Sequence, residues 1–286
     1  MAEVLPGKKP IYYDGGMGSL LMKNGMSPGM RSDEMNTLHP EVVEKIHRSY
    51  IEAGSELLCT NTFSLCSILH KMTDEQLQKS VCDAVSIARA AAGDKGMVGL
   101  DIGPTGEFME PYGDLTYEEA YRRFQRMAVC GEKAGADYIC IETMSAPDEL
   151  KAAVLAAAEN TKLGVLATMT FRASGLTITG ASVEEFAELA NTLPLLAAGL
   201  NCSEEPARML PAAKRLAALL QKPLIIKLNA GLPDEHGTYS LSPEAYAGQL
   251  MAYMPLMPRI VGGCCGTTPD YIAAVKAAFE NEREEI

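Results

Sequence analysis

The chain has 286 residues, 47% of them hydrophobic, and a formal charge of −12 at neutral pH. That length accommodates one large barrel or two ordinary domains, with ample apolar content for a sizeable core. The acidic balance excludes a nucleic-acid surface, which needs clustered Lys and Arg, and disfavours adsorption to anionic lipid, leaving small molecules or proteins as partners. Residues 1–10 carry charge and proline but no apolar signal core, and no apolar run is long enough to span a bilayer, so a soluble cytoplasmic protein is expected. Eight cysteines spread along the chain fit reduced thiols in a reducing compartment better than a disulfide framework.

In chain order, short β-rich apolar runs alternate with longer helical patterns. A strand over 10–15 leads to a helix over 40–53, then 56–63 to 73–92, 97–103 to 116–134, and 137–143 to 146–160. Strands over 163–171, 195–202, 223–230 and 259–264 precede helices over 182–191, 205–220, 242–254 and 269–280. Ser182, Ser242 and Thr268 read as N-caps, the last two followed by a proline at the first helical position. Eight strand–helix units in unbroken alternation predict an α/β fold, a (β/α)8 TIM barrel forming a single domain over 1–286. An open doubly wound sheet is the runner-up. No linker or internal repeat beyond the strand–helix unit interrupts the chain, and the tail 280–286 reads as solvated and frayed.

Polar and thiol side chains gather at the carboxyl ends of these strands: Asp14, Thr60, Asn61, Asp101, Glu142, Thr170, Cys202, Asn229, Cys264 and Cys265. Barrel enzymes assemble their sites on that face from several strands, so Cys202 on the sixth strand and the Cys264-Cys265 pair on the eighth are expected close in space. Neighbouring residues on an extended strand face opposite ways, so two adjacent thiolates reach one ion only if the backbone turns, which the flanking glycines permit. Three thiolates leave a tetrahedral zinc one open position, the arrangement of a catalytic site. Cys59, Cys66, Cys82, Cys130 and Cys140 lie in apolar or helical patterns and read as core or surface filler. His39, His47, His70 and His236 read as surface or helix-face residues rather than ligands.

The motifs Asp14-Gly15-Gly16-Met17-Gly18, Thr60-Asn61-Thr62-Phe63, Gly103-Pro104-Thr105-Gly106, Ile141-Glu142-Thr143-Met144, Gly199-Leu200-Asn201-Cys202-Ser203, Asn229-Ala230-Gly231 and Gly262-Gly263-Cys264-Cys265-Gly266-Thr267-Thr268-Pro269 resemble those of the homocysteine S-methyltransferases. They are closest to the homocysteine-binding module of cobalamin-dependent methionine synthases. The likeness covers nearly the whole chain, and the last motif is highly specific. The resemblance implies one zinc held by Cys202, Cys264 and Cys265, with the homocysteine sulfur as fourth ligand. Asn229 would offer the metal its oxygen before substrate arrives, and Asp14 and Glu142 would hold the substrate ammonium. Backbone amides of Gly15, Gly16, Met17 and Gly18 would cradle its carboxylate, and Thr105 and Ser203 would line the pocket.

A free thiol, with a pKa of about 8.5, is a few per cent ionised at neutral pH, and zinc removes that limitation by binding the thiolate. Cobalamin-linked relatives continue into folate and cobalamin domains, so this chain is expected to carry the methyl-acceptor half. The donor is then either a separate methyl-corrinoid protein, the favoured option, or a small sulfonium such as S-methylmethionine. No corrinoid or folate signature lies in these residues, so any cobalamin would belong to the partner. Two other functions are weighed: a Schiff-base barrel aldolase using Lys227, and a zinc- or thiol-binding module without transferase activity.

Overall fold

The computed structural model describes residues 5, 7, 9–235 and 237–284; His236 and the end of the acidic tail lie outside the described residues. The strands are β1 (Ile11–Tyr12), β2 (Leu57–Cys59), β3 (Met97–Ile102), β4 (Tyr138–Met144), β5 (Gly164–Met169), β6 (Ala197–Cys202), β7 (Leu224–Leu228) and β8 (Ile260–Gly263). All pair in parallel in the order β1-β8-β7-β6-β5-β4-β3-β2. A parallel bridge between Tyr13 and Leu57 joins the two ends of the sheet. Two backbone bonds reinforce it, Asp14 N–H to Leu57 O at 3.1 Å and Glu56 N–H to Tyr12 O at 2.7 Å. The result is the (β/α)8 barrel expected from the alternation, not an open sheet.

The helices in chain order are α1 (Met17–Lys23), α2 (Met35–Leu38), α3 (Pro40–Glu52), α4 (Asp74–Ala92), α5 (Tyr117–Ala134), α6 (Pro147–Asn160), α7 (Val183–Thr192), α8 (Pro206–Leu219), α9 (Pro243–Leu250) and α10 (Pro269–Glu284). The N-caps Ser182 and Ser242 accept from the backbone N–H of Glu185 and Ala245, satisfying donors that have no partner inside the helix. Helix α9 passes into a 3-10 turn, Met251–Leu256, that contains Pro255. Helix α10 runs four residues beyond the expected 280, so the acidic tail is helical to Glu284. Helices α1 and α2, and a 3-10 segment over Phe63–Lys71, were not expected; each is short, and Leu21, Met35 and Leu65 anchor them by burial in the core.

One apolar layer lies between the sheet and its helices and another fills the amino-terminal half of the barrel, with Ile11, Leu57, Leu166, Ile225 and Ile260. Tyr138 crosses this plug edge-on to Tyr13, ring centres 6.2 Å apart, and its hydroxyl donates to Leu58 O at 2.9 Å. Gly99 makes room for it, since a Cβ there would fall 2.3 Å from the Tyr138 ring. Above the plug the interior turns polar: Asp14, Asp101, Glu142, Thr168, Asn201 and Lys227 are all buried. The fold thus closes one end of the barrel with hydrocarbon and lines the other with charge.

His39 and His70 are exposed, His70 beside Glu107, while His47 is on the buried face of α3, with neither ring nitrogen hydrogen-bonded. Burial lowers its pKa to about 4. Between pH 6.5 and 4 the unfolded chain therefore binds a proton that the folded chain does not, and stability falls as pH drops through that window. Denaturant melts at pH 7 and pH 5 should show His47→Leu less acid-sensitive than the parent, the difference in the pH-dependent loss being about 2 kcal/mol.

Candidate active site

The sulfur atoms of Cys202, Cys264 and Cys265 lie within 4.8 Å of one another, with Cys202 and Cys265 3.7 Å apart. Three sulfurs on a tetrahedral zinc with bonds of about 2.3 Å would stand roughly 3.8 Å apart, so the trio fits that ion. Hydrogen bonding to Cys202 pushes the Cys264 thiol well up, and burial adds to it. In Cys202 and Cys265 the bonds inside the trio pull both ways, Cys264 lowering Cys202 and Cys202 lowering Cys265. The remaining thiol and burial tip the balance, leaving both at about 12. Three thiolates this close need a cation among them, and metal binding would release their protons.

The backbone beneath the trio is strained. Thr143, Cys202 and Ser203 have φ of 61°, 53° and 64°, a left-handed region costly for residues with a Cβ. Asn201 holds this arrangement: its Oδ1 accepts from Thr143 N–H at 2.9 Å and Thr168 Oγ1 at 2.8 Å, and its Nδ2 donates to Thr143 Oγ1 at 2.7 Å. The register between β4 and β5 shifts across Glu142 and Thr143, a bulge that re-aims both side chains. On the opposite side, Thr267 Oγ1 donates to Cys264 O at 2.7 Å and Tyr239 packs over Gly266.

A cavity of about 350 Å³ opens beside the sulfurs, lined by Asp14, Gly15, Gly16, Met17, Gly18, Glu142 and the three cysteines. Thr60, Asn61, Asp101, Cys59 and Lys227 line it as well. Asp14 Oδ2 accepts from Cys59 N–H at 2.7 Å, whereas its buried Oδ1 has no hydrogen-bond partner. Burial, opposed by Lys227, raises the Asp14 pKa to about 7. Lys227 donates to Glu142 at 2.9 Å. Burial works to lower the lysine pKa, but Cys59, Glu142, Cys140 and Asp14 outweigh it and keep the ammonium charged. A charged amine is a poor Schiff-base nucleophile, and with Lys227 bonded to Glu142 this counts against the aldolase alternative.

Three of the expected site residues lie outside the cavity lining. Thr105 directs both its N–H and its Oγ1 to Glu149, each at 2.7 Å. Ser203 Oγ accepts from Phe171 N–H at 3.0 Å and donates to Asn201 O at 2.9 Å, holding the strained turn. Asn229 donates to Ser203 O at 2.9 Å, and its buried Oδ1 is unpartnered. Among the glycine-turn amides, that of Gly16 is already used by Thr267 Oγ1 at 3.2 Å. Of the presumed filler cysteines, Cys59 lines the cavity and Cys140 lies in the barrel interior near Glu142, placements that an apolar pattern alone does not reveal. Asn201 and Lys227 emerge as organising residues; for Lys227 the signal was a charged residue inside an apolar strand.

Fold and site together define a barrel protein whose mouth gathers three thiols beside an acidic pocket. The profile described as homocysteine S-methyltransferase matches residues 11–279. The chain belongs to the homocysteine S-methyltransferase family. It is 31% identical to methionine synthase of Mycobacterium tuberculosis, the alignment covering 96% of this chain and 25% of the relative. The chain thus spans about a quarter of the length of the curated relatives it matches. Crystal structures of the homocysteine methyltransferase MmuM from Escherichia coli share the fold. The oxidized form superposes with a TM-score of 0.82 at 22% identity, covering 96% of this chain and 98% of that one; the metallated form gives 0.81 at 23%, with the same coverage. Among the described residues no helix is long and apolar enough to cross a membrane.

Gly266 has φ +81°, and a Cβ there would lie 2.2 Å from the Tyr239 ring. Gly266→Ala should therefore displace the cysteine turn and weaken metal binding at least ~tenfold while the barrel stays folded. Metal titration alongside far-ultraviolet circular dichroism reads both quantities.

Proposed function

We propose that the chain is a zinc-dependent homocysteine S-methyltransferase, forming methionine from homocysteine. The observation that carries this reading is the convergence of three sulfurs from β6 and the turn after β8 on one point beside a pocket lined with carboxylates. Zinc held by Cys202, Cys264 and Cys265 would bind the substrate sulfur as a thiolate at neutral pH and, with three anionic ligands already present, would leave it nucleophilic. The unpartnered Oδ1 of Asn229 supports a role near the metal until substrate arrives, because a buried acceptor without a partner costs about 1–3 kcal/mol.

Asp14 and Glu142 would take the substrate ammonium, for which the free Oδ1 of Asp14 is a ready acceptor. Amides of the Gly15 to Gly18 turn left free by the Gly16 to Thr267 bond would meet its carboxylate. These contacts fix the thiol end against the cysteines and supply orientation, the main protein contribution to an in-line displacement. As the new sulfur–methyl bond forms, the bond from the methyl to its donor breaks and the electron pair leaves with the donor. No proton moves in that step, so neither carboxylate acts as acid or base. The donor is a separate methyl-corrinoid protein, the option favoured by the sequence motifs, or S-methylmethionine.

The purified protein should carry one zinc, and Cys265→Ser should lose most of it; equal zinc in mutant and parent would end the metal assignment. Incubation with homocysteine and either S-methylmethionine or methylcobalamin should yield methionine, read by mass spectrometry. A protein that binds zinc and homocysteine yet makes no methionine from these donors or from a methyl-corrinoid protein would be a thiol-binding module.

Binding of the product methionine, which has no thiol to titrate, should weaken as pH falls through about 7, where Asp14 gains a proton. The loss should approach ~tenfold per pH unit below that point and vanish in Asp14→Asn. Calorimetric titrations at pH 6, 7 and 8 provide the check.

A further inference from the structure

A second set of metal-type side chains lies inside the barrel at the wall of the cavity. Ligand atoms of Cys59, Asp101, Cys140 and Glu142 fall within 4.8 Å of one another, the same limit met by the trio at the mouth. Asp101 is 5% exposed, lines the cavity, and its Oδ1 has no hydrogen-bond partner. A disulfide is ruled out: Cys59 pairs with Gly99 and Cys140 with Asp101, so β3 stands between them. Two strand spacings, about 9.5 Å, exceed the Cα separation a disulfide spans. What the four groups could share is a cation.

A cation is already built in. Lys227 is 3% exposed, with Nζ 2.9 Å from Glu142 Oε2, 3.9 Å from Cys59 Sγ and 3.9 Å from Asp14 Oδ1. It also rests 3.8 Å above the centre of the Tyr13 ring, whose face favours positive charge. We propose that Lys227 is a specificity-determining positioning residue, an internal cation that holds Glu142 and reserves this cluster for the ammonium of an amino-acid substrate instead of a second metal ion. A divalent ion at the cluster would stand within a few ångströms of the fixed ammonium in a buried, low-dielectric setting, where their repulsion is strong. One oxygen of Glu142 already accepts from Lys227, which leaves a metal at most the other. Lys227 bonds to Glu142 and stands 3.9 Å from Asp14 Oδ1, an oxygen without a hydrogen-bond partner that a substrate ammonium could take. The ammonium half of this inference rests on the homocysteine reading; the metal half does not.

The test uses the full chain with Lys227→Met and Lys227→Gln, each verified as folded by circular dichroism. After incubation with excess zinc and desalting, both variants should hold one more zinc per chain than the parent, and Lys227→Met with Cys140→Ala should return to the parental count. The parent's own count reports on the mouth trio, so failure there is separate from failure here. Folded variants with parental zinc content would overturn the metal half. In metal-matched samples, the ratio of kcat/KM for homocysteine to that for 4-sulfanylbutanoate, which lacks the ammonium, should fall at least ~tenfold in Lys227→Met. An equal loss with both thiols would mark Lys227 as merely structural and overturn the specificity half.

Discussion

Closure of the barrel is the constraint on which the rest depends. The thiols of Cys202 and of the Cys264-Cys265 pair are separated by some sixty residues, and β7 lies between the strands that carry them. They meet because β6, β7 and β8 run parallel and in register, so their carboxyl ends emerge together at one rim. Burial and sulfur–sulfur contact raise the cost of ionising the trio until a cation arrives. The protein has gathered three thiols whose mutual repulsion, once ionised, a thiophilic metal would relieve.

That arrangement is maintained at a local cost. Thr143, Cys202 and Ser203 occupy backbone conformations that side chains disfavour, and a web of bonds from Asn201, Thr168 and Thr170 holds them there. The apolar plug of Tyr13, Tyr138 and the aliphatic residues below them supplies the rigid floor. Strain at the mouth and hydrocarbon at the base are complementary: the stable half of the barrel supports the half that carries the chemistry.

Much of this was legible in the chain. Eight apolar runs bounded by glycine and polar residues located all eight strands, and their carboxyl ends located Asp14, Glu142 and the cysteines. The strands are shorter than the runs because the runs extend into the loops at the strand ends, where Asn229 lies beyond β7. Helices α1 and α2 escaped notice since each is too short to show a period and owes its place to tertiary burial. Thr105 follows the third strand, as a pocket residue should, yet Glu149 from α6 captures its hydroxyl, a contact with no trace in local sequence. The pairing of Lys227 with Glu142 was equally hidden, because β4 and β7 face each other only across a closed barrel.

X-ray absorption at the zinc edge, before and after homocysteine is added, tests the central claim most directly. The account predicts three sulfur neighbours and one lighter atom in the free protein, becoming four sulfur neighbours with substrate. A shell of nitrogen and oxygen alone, or a sulfur count that homocysteine leaves unchanged, would contradict it.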